Sequence, residues 1–224
     1  MLSASYLLYK SMKLYNYVHC PFCVRVRMAA GFLGLSYESQ VLRYDDEATP
    51  IKLMGKKMLP ILEFNGKFLN ESLEMIKLID KNDKLGLKKN ENSNQFNELI
   101  QYLDELGSSV HSLAMPYWIY TPEFDEKSRK YFQDKKEIKR GPFKQLVRNQ
   151  SNFIKQLEKS LSKLDGILTP FYRSPVLTIY DILIASHLWG MYVVVGFQFS
   201  EKIHQYLQTI ATECKFNYHE DFWR

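Results

Sequence analysis

Apolar residues in the first part of the chain come in short runs, whereas from residue 95 onward they recur at helical spacing. Leu14-Tyr15-Asn16-Tyr17-Val18 is rich in β-formers and predicts a strand. Val26, Ala29, Ala30 and Leu33 then recur with a helical period, and Gly34 supplies a stop. Tyr37–Arg43 reads as a second strand. Thr49-Pro50 offers an N-cap and a first helical residue to a short helix ending at Gly55. Pro60-Ile61-Leu62-Glu63-Phe64 and Lys67-Phe68-Leu69 flank Asn65-Gly66, a dipeptide that tolerates the positive φ of a tight hairpin. A helix is expected from about Ser72, with Met75, Ile76 and Ile79 on its apolar side. The order β-α-β-α-β-β-α over residues 12–83 predicts one small layered α/β domain.

Lys84–Ser93 is polar and without apolar periodicity, so residues 84–94 read as a linker. Residues 95–224 read as all helical. Phe96, Leu99, Ile100, Leu103, Leu106 and Val110 hold one helix face, and Phe153, Ile154, Leu157, Leu161, Leu164 and Leu168 hold another. Leu177–Ile182 is a dense helix start: Thr178 as cap, Asp181 reaching back as in a capping box, and Leu177 with Ile182 placed for a hydrophobic staple. Ile203, Leu207, Ile210 and Cys214 share one stripe, which makes Cys214 a packing residue rather than a reactive thiol. Ile182–Phe199 has nearly the length of a membrane span, but Asp181 opens it and His187, Gly190 and Gly196 interrupt it; a buried core helix is the better reading.

A chain of 224 residues has room for one large domain or two small ones. The formal charge is +5, with bases and acids interleaved. Lys127–Arg140, the densest basic stretch, is broken by Asp134 and Glu137 and reads as a solvated helix face, not a nucleic-acid site. Such a mild positive field suits an anionic substrate. Residues 1–11 lack the apolar core and basic start of a signal peptide and read as an N-terminal extension without a role in the chemistry. A reducing, cytoplasmic setting without a membrane partner is the corresponding expectation.

The chemistry centres on Cys20-Pro21-Phe22-Cys23, at the junction of the first strand and first helix. There the first sulfur meets the free N–H groups and the positive dipole end of a helix, which favour thiolate over thiol. The chain has only 3 cysteines, too few for a disulfide scaffold. A structural zinc site needs four ligands. The available extras are His19, badly placed beside Cys20, and the pair Cys214 and His219. Redox chemistry is therefore preferred over a metal site or over two inert neighbouring thiols. His19 is either a support for the thiolate when protonated or a structural or solvent-facing residue.

Asn16–Cys23, Met58-Leu59-Pro60 ahead of a hairpin, and Asn70-Glu71-Ser72 opening a helix together resemble a glutaredoxin. The helical half resembles the C-terminal domain of the glutathione transferase superfamily. The combination resembles the large two-domain bacterial glutaredoxins, as do Asp45–Pro50 and Tyr131–Glu137. The resemblance implies a thioredoxin-fold N-terminal domain followed by an all-α transferase-like domain. It implies Cys20 as nucleophile and Cys23 as the resolving thiol. Pro21 would take the first helical position, and Phe22 would stand where the family commonly has Tyr. Leu59-Pro60 would be a cis turn whose Leu59 backbone pairs with glutathione, an extended peptide. Ser72 and nearby N–H groups would hold the γ-glutamyl carboxylate, and Glu71 the α-amino group. Lys56, Lys57 and Arg25 stay open as alternatives for the glycine carboxylate. No metal or prosthetic group is required, with glutathione as co-substrate. The partners implied are disulfide-bonded or glutathionylated proteins, acted on by a monomer. Two rivals share the two-domain plan. One is a glutathione transferase acting on electrophiles; the other is a non-enzymatic protein of the chloride intracellular channel type, which typically has Ser where Cys23 stands.

Overall fold

The computed structural model describes residues 12–121 and 123–217; the extension 1–11 and His219 lie outside the described residues. The first strand, β1, is Met12–Asn16, followed by α1 (Pro21–Phe32), β2 (Glu38–Val41), α2 (Ala48–Met54), β3 (Ile61–Phe64), β4 (Lys67–Leu69) and α3 (Ser72–Ile79). They form a sheet of 4 strands in the order β2-β1-β3-β4. β1 runs parallel to β2 and antiparallel to β3, and β3 turns back into β4. The turn is Asn65-Gly66, with φ of 57° and 72°, the positive values that favour these two residue types.

The start of α2 differs from expectation. Its cap position is Glu47, not Thr49, and the Asp46 side chain accepts from the Thr49 N–H at 3.0 Å. A carboxylate one position before the cap competes successfully with the threonine hydroxyl. Gly55, at φ 73°, ends the helix as expected.

The helical half comprises α4 (Leu87–Asn90), α5 (Asn94–Trp118), α6 (Glu126–Arg140), α7 (Phe143–Arg148), α8 (Gln150–Asp165), α9 (Ile179–Leu188), a 3₁₀ turn (Trp189–Val193) and α10 (Glu201–Glu213). Segment 84–94 is not a bare polar tether. Leu85 and Leu87 are fully buried, because carboxylates satisfy the backbone that carries them inward. Asp80 accepts from Lys84 and Leu85 N–H at 2.9 and 2.8 Å, and Asp83 accepts from Lys88 and Lys89. The Leu85 carbonyl in turn accepts from Ile179 N–H at 2.8 Å, tying the segment to the start of α9.

The apolar run 182–199 is not one helix either. It tightens into the 3₁₀ turn where Gly190 backs onto Trp118: a Cβ there would stand 2.8 Å from Cζ2 of that ring. No helix among the described residues is long and apolar enough to cross a membrane.

The two halves share one continuous apolar core, running from Leu14, Val26 and Ile76 through Leu106 and Val110 to Leu183 and Leu207. Helix α1 is the pivot, packing on α3 on its own side and on α9 and α10 across the junction. Gly31 permits the closest approach, since a Cβ there would collide with the Cys214 carbonyl oxygen. Cys214 is fully buried on the stripe predicted for it, and burial pushes its thiol up to about 12. A second, smaller apolar cluster of Tyr17, Cys23, Leu42, Leu59 and Ile61 lies beneath the Cys-Pro-Phe-Cys motif.

Candidate active site

Sheet register gathers the residues singled out from sequence. Tyr15 pairs with Ile61, so Leu59-Pro60 sits level with the chain leaving β1 toward Cys20. Leu62 pairs with Leu69, which brings Asn70-Glu71-Ser72 to the same sheet end. The Leu59-Pro60 peptide bond is cis, and both residues are buried. Glu71 is the exposed cap position of α3, and Ser72 is its buried first residue.

Cys20 is the cap residue of α1, with φ −74° and ψ 121°, and Pro21 takes the first helical position. The Cys20 carbonyl accepts from the Cys23 and Val24 N–H groups, both at 2.9 Å, so the helix is closed behind the sulfur. No side chain caps this helix. The Phe22 N–H, and the Cys23 N–H that the sulfur shares with the Cys20 carbonyl, serve that sulfur instead. A hydrogen bond from the Cys23 thiol favours the Cys20 thiolate most, burial opposes it, and the Cys23 and Phe22 N–H groups and the His19 charge favour it further. The net effect lowers the Cys20 thiol to about 6.

Cys23 is fully buried, one turn into the helix, and receives the Tyr17 N–H at 3.4 Å. Burial, and then the hydrogen bond to Cys20, push its thiol upward. The two thiols, three residues apart, are thus pushed in opposite directions, the half-buried Cys20 toward thiolate and the buried Cys23 toward thiol.

The helical half covers the motif with more than a solvated face. Phe132 of α6 is buried and meets the Tyr44 ring edge-on at 4.6 Å. Tyr131 hydrogen-bonds Glu47 and lies 4.0 Å from the Lys57 ammonium. Lys136 points inward over Tyr44 and Phe132, at 5.6 and 5.5 Å. Burial lowers its pKa while the Cys20 charge raises it. The basic stretch 127–140 therefore has one solvated face and one that belongs to the site. Phe22 is exposed at 47%, with the Arg25 guanidinium 4.6 Å from its ring centre.

Among the candidates for a glycine carboxylate, Lys57 is engaged with the Tyr44 carbonyl at 2.7 Å, Lys56 is exposed, and Arg25 is buried beneath Phe22. His19 is buried, and its Nδ1 lies 3.1 Å from Glu123 Oε1. Sequence reading missed Tyr44, Glu123 and Lys136. Only Lys136 carried a signal, as part of the Tyr131–Glu137 stretch that resembles the two-domain glutaredoxins, in a helix otherwise read as solvated. Among the described residues no group of His, Cys, Asp and Glu could hold a metal ion.

Comparison with known proteins adds the lineage. Residues 98–221 match the family model for the glutaredoxin 2 C-terminal domain, and residues 14–86 match that for the glutathione S-transferase N-terminal domain. Glutaredoxin 2 of Escherichia coli K12 is 31% identical over 212 residues, covering 92% of this chain and 97% of that protein. The crystal structure of glutaredoxin 2 from Salmonella typhimurium in complex with glutathione superposes with a TM-score of 0.82 at 30% identity, covering 95% of this chain and 99% of that one. A Bombyx mori glutathione S-transferase, at 16% identity and a TM-score of 0.65, shares the fold.

Proposed function

The chain belongs to the glutaredoxin 2 family, and from that premise we propose the roles of its site residues. The protein is a glutathione-dependent thiol–disulfide oxidoreductase, with glutathione as co-substrate. The roles are assigned as follows. Cys20 thiolate attacks one sulfur of a substrate disulfide, forming a mixed disulfide and releasing the other half as a thiolate. With a glutathionylated protein, the attack falls on the glutathione sulfur and frees the protein thiol. A second glutathione thiolate then attacks the glutathionyl sulfur, yielding glutathione disulfide and regenerating Cys20. With a protein disulfide, Cys23 gives up its proton and attacks the Cys20 sulfur, expelling the substrate thiolate. Two glutathiones then reduce the Cys20–Cys23 disulfide.

The cradle for glutathione is the Leu59 backbone at the cis turn with Glu71 and Ser72 at the start of α3, all at one sheet end with Cys20. Here the N–H groups at the start of α3 receive the γ-glutamyl carboxylate. Disulfide-bonded and glutathionylated proteins in a reducing, cytoplasmic compartment are the proposed partners.

The observation that carries this reading is a half-buried Cys20 at an uncapped helix start with a second, fully buried thiol, Cys23, one turn behind it. It distinguishes a dithiol reductase from a transferase that needs only one activating group. The test is turnover of a glutathione mixed disulfide by Cys20→Ser, where loss to the uncatalysed rate is expected. Retained turnover would return the site to the transferase reading.

A further inference from the structure

His19 and Glu123 are 104 residues apart in sequence, yet their side chains meet at 3.1 Å with only 4% and 7% of their surface exposed. Glu123 stands on the connection between α5 and α6, in the helical half; His19 is bonded directly to the nucleophilic cysteine. The second carboxylate oxygen, Oε2, is buried and has no hydrogen-bond partner. A buried carboxylate with one oxygen unsatisfied is costly unless a cation faces it. The imidazole is the one basic group hydrogen-bonded to it among the described residues. Rings close off the rest of the space: Trp118, Phe124 and Phe132 from the helical half, with centres 5.0, 5.3 and 5.6 Å from that of His19, and Tyr17 and Tyr44 from the other. Water has little access, so charges inside this cage act on one another with little screening.

We propose that Glu123 is a positioning residue for the nucleophile: it fixes the His19 ring by a hydrogen bond, and its charge acts through that ring to favour the Cys20 thiolate. The order of groups is then Glu123 carboxylate, His19 ring, Cys20 sulfur, running from the helical half into the motif. The helical domain thereby takes part in generating the reactive thiolate as well as walling the cleft. The other titratable groups around His19 and the sulfur are Cys20, Tyr17 and Tyr44 from the α/β half, Lys136 of α6 over the Tyr44 and Phe132 rings, and Arg25 of α1, the last two both meeting the Cys20 charge. Burial pushes both phenols up, so they stay neutral near pH 6–8. At longer range stands His111 of α5, which burial foremost, and then the charges of Arg140, His187, Lys136 and His19, lower to about 3. It is therefore uncharged where the thiolate forms. The proposal rests on the assignment of Cys20 as nucleophile.

The pH dependence of Cys20 alkylation in the reduced full-length protein tests it. Glu123→Gln keeps the shape and the hydrogen bond but removes the charge. Its midpoint is expected to rise, lowering the alkylation rate at pH 6 by about threefold, whereas Glu123→Asp stays near the parent. Exposed Glu126, the first residue of α6, is the control: Glu126→Gln leaves the midpoint in place. The sign is decisive, because loss of direct repulsion between Glu123 and the thiolate would move the midpoint down. A midpoint that falls or stays put in folded Glu123→Gln overturns the proposal. So does a further rise when Glu123→Gln is added to His19→Phe, since Glu123 then acts without the imidazole. If Glu123→Gln fails to fold, His19→Phe alone decides, with an unmoved midpoint as the refuting result. Loss of activity in Cys20→Ser is independent of all these outcomes, so failure here leaves the assigned reaction standing.

Discussion

Two helix starts in this molecule solve the same problem in opposite ways. The first N–H groups of any helix lack intrahelical partners. At the start of α9 the Leu85 carbonyl accepts the first helical N–H, that of Ile179, at 2.8 Å, and Asp181 satisfies the Thr178 cap N–H together with three other donors. Its Oδ2 accepts the Thr178 N–H and hydroxyl at 2.8 and 3.0 Å, while Oδ1 accepts the Tyr172 N–H and the Tyr206 hydroxyl at 2.7 and 2.9 Å. Asp181 is fully buried, and α9 lies at the centre of the shared core. At the start of α1 the cap residue is Cys20, and no side-chain cap is made. The N–H groups there remain available to a sulfur. One helix end is saturated and stabilises; the other is left short of acceptors and becomes reactive. Packed against α9 and α10, α1 is held in place while its own start stays short of acceptors.

The largest effect should come from emptying the saturated end. Asp181→Ala strands four donors in a buried site, and a loss of about 3 kcal/mol or more in urea unfolding is expected. A loss below about 1 kcal/mol would mean that α9 is not the anchor. The next effect tests the link between the two ends. Gly31→Ala drives a Cβ into the Cys214 carbonyl. The backbone must move, costing about 1–3 kcal/mol, while the Cys20 alkylation midpoint stays where it was. A shifted midpoint would show that the spacing of α1 and α10 also tunes the sulfur.

Converting the reactive end into a saturated one is the reverse experiment. Cys20→Asp places a good capping side chain at a position already in extended backbone geometry. A gain of up to about 1 kcal/mol in unfolding free energy is expected together with complete loss of turnover. Stability that falls instead would mean that the burial around Cys20 disfavours any fixed charge, and that the thiolate depends on its Cys23 hydrogen bond more than on the helix end.

The parts of this arrangement that could be read from sequence are those encoded locally. The Cys20–Cys23 spacing, the Asn65-Gly66 hairpin and the pairing of Thr178 with Asp181 each depend on residues within a few positions of one another. The cis turn at Leu59-Pro60 came from family resemblance, because X-Pro propensity alone favours trans. What could not be read depends on chain crossings. Glu123 reaches His19 across the domain junction, Tyr206 reaches Asp181 from the next helix, and Lys136 turns inward because α6 folds back over the motif. Composition also misled at 84–94, where Asp80 and Asp83 bond the backbone and so allow Leu85 and Leu87 into the core. The break in the 182–199 run depends on Trp118, which is remote in sequence.

Phe22 gives the smallest expected effect and the sharpest test of locality. It lies inside the motif, yet nearly half of it is exposed, at 47%, and its ring meets the Arg25 guanidinium at 4.6 Å and the His187 ring, steeply inclined to it, at 6.3 Å between centres. Both contacts involve the ring, and a tyrosine ring keeps them. A phenol oxygen at an exposed position gains water as its partner and neither adds to nor removes the donors that serve Cys20, which are the Cys23 thiol and the Cys23 and Phe22 backbone N–H groups. Phe22→Tyr is therefore expected to change unfolding free energy by less than about 0.5 kcal/mol and to leave the alkylation midpoint near 6. A clear downward move would show that a side chain can serve the reactive helix end much as Asp181 serves the saturated one, and would narrow the contrast between them to one of degree.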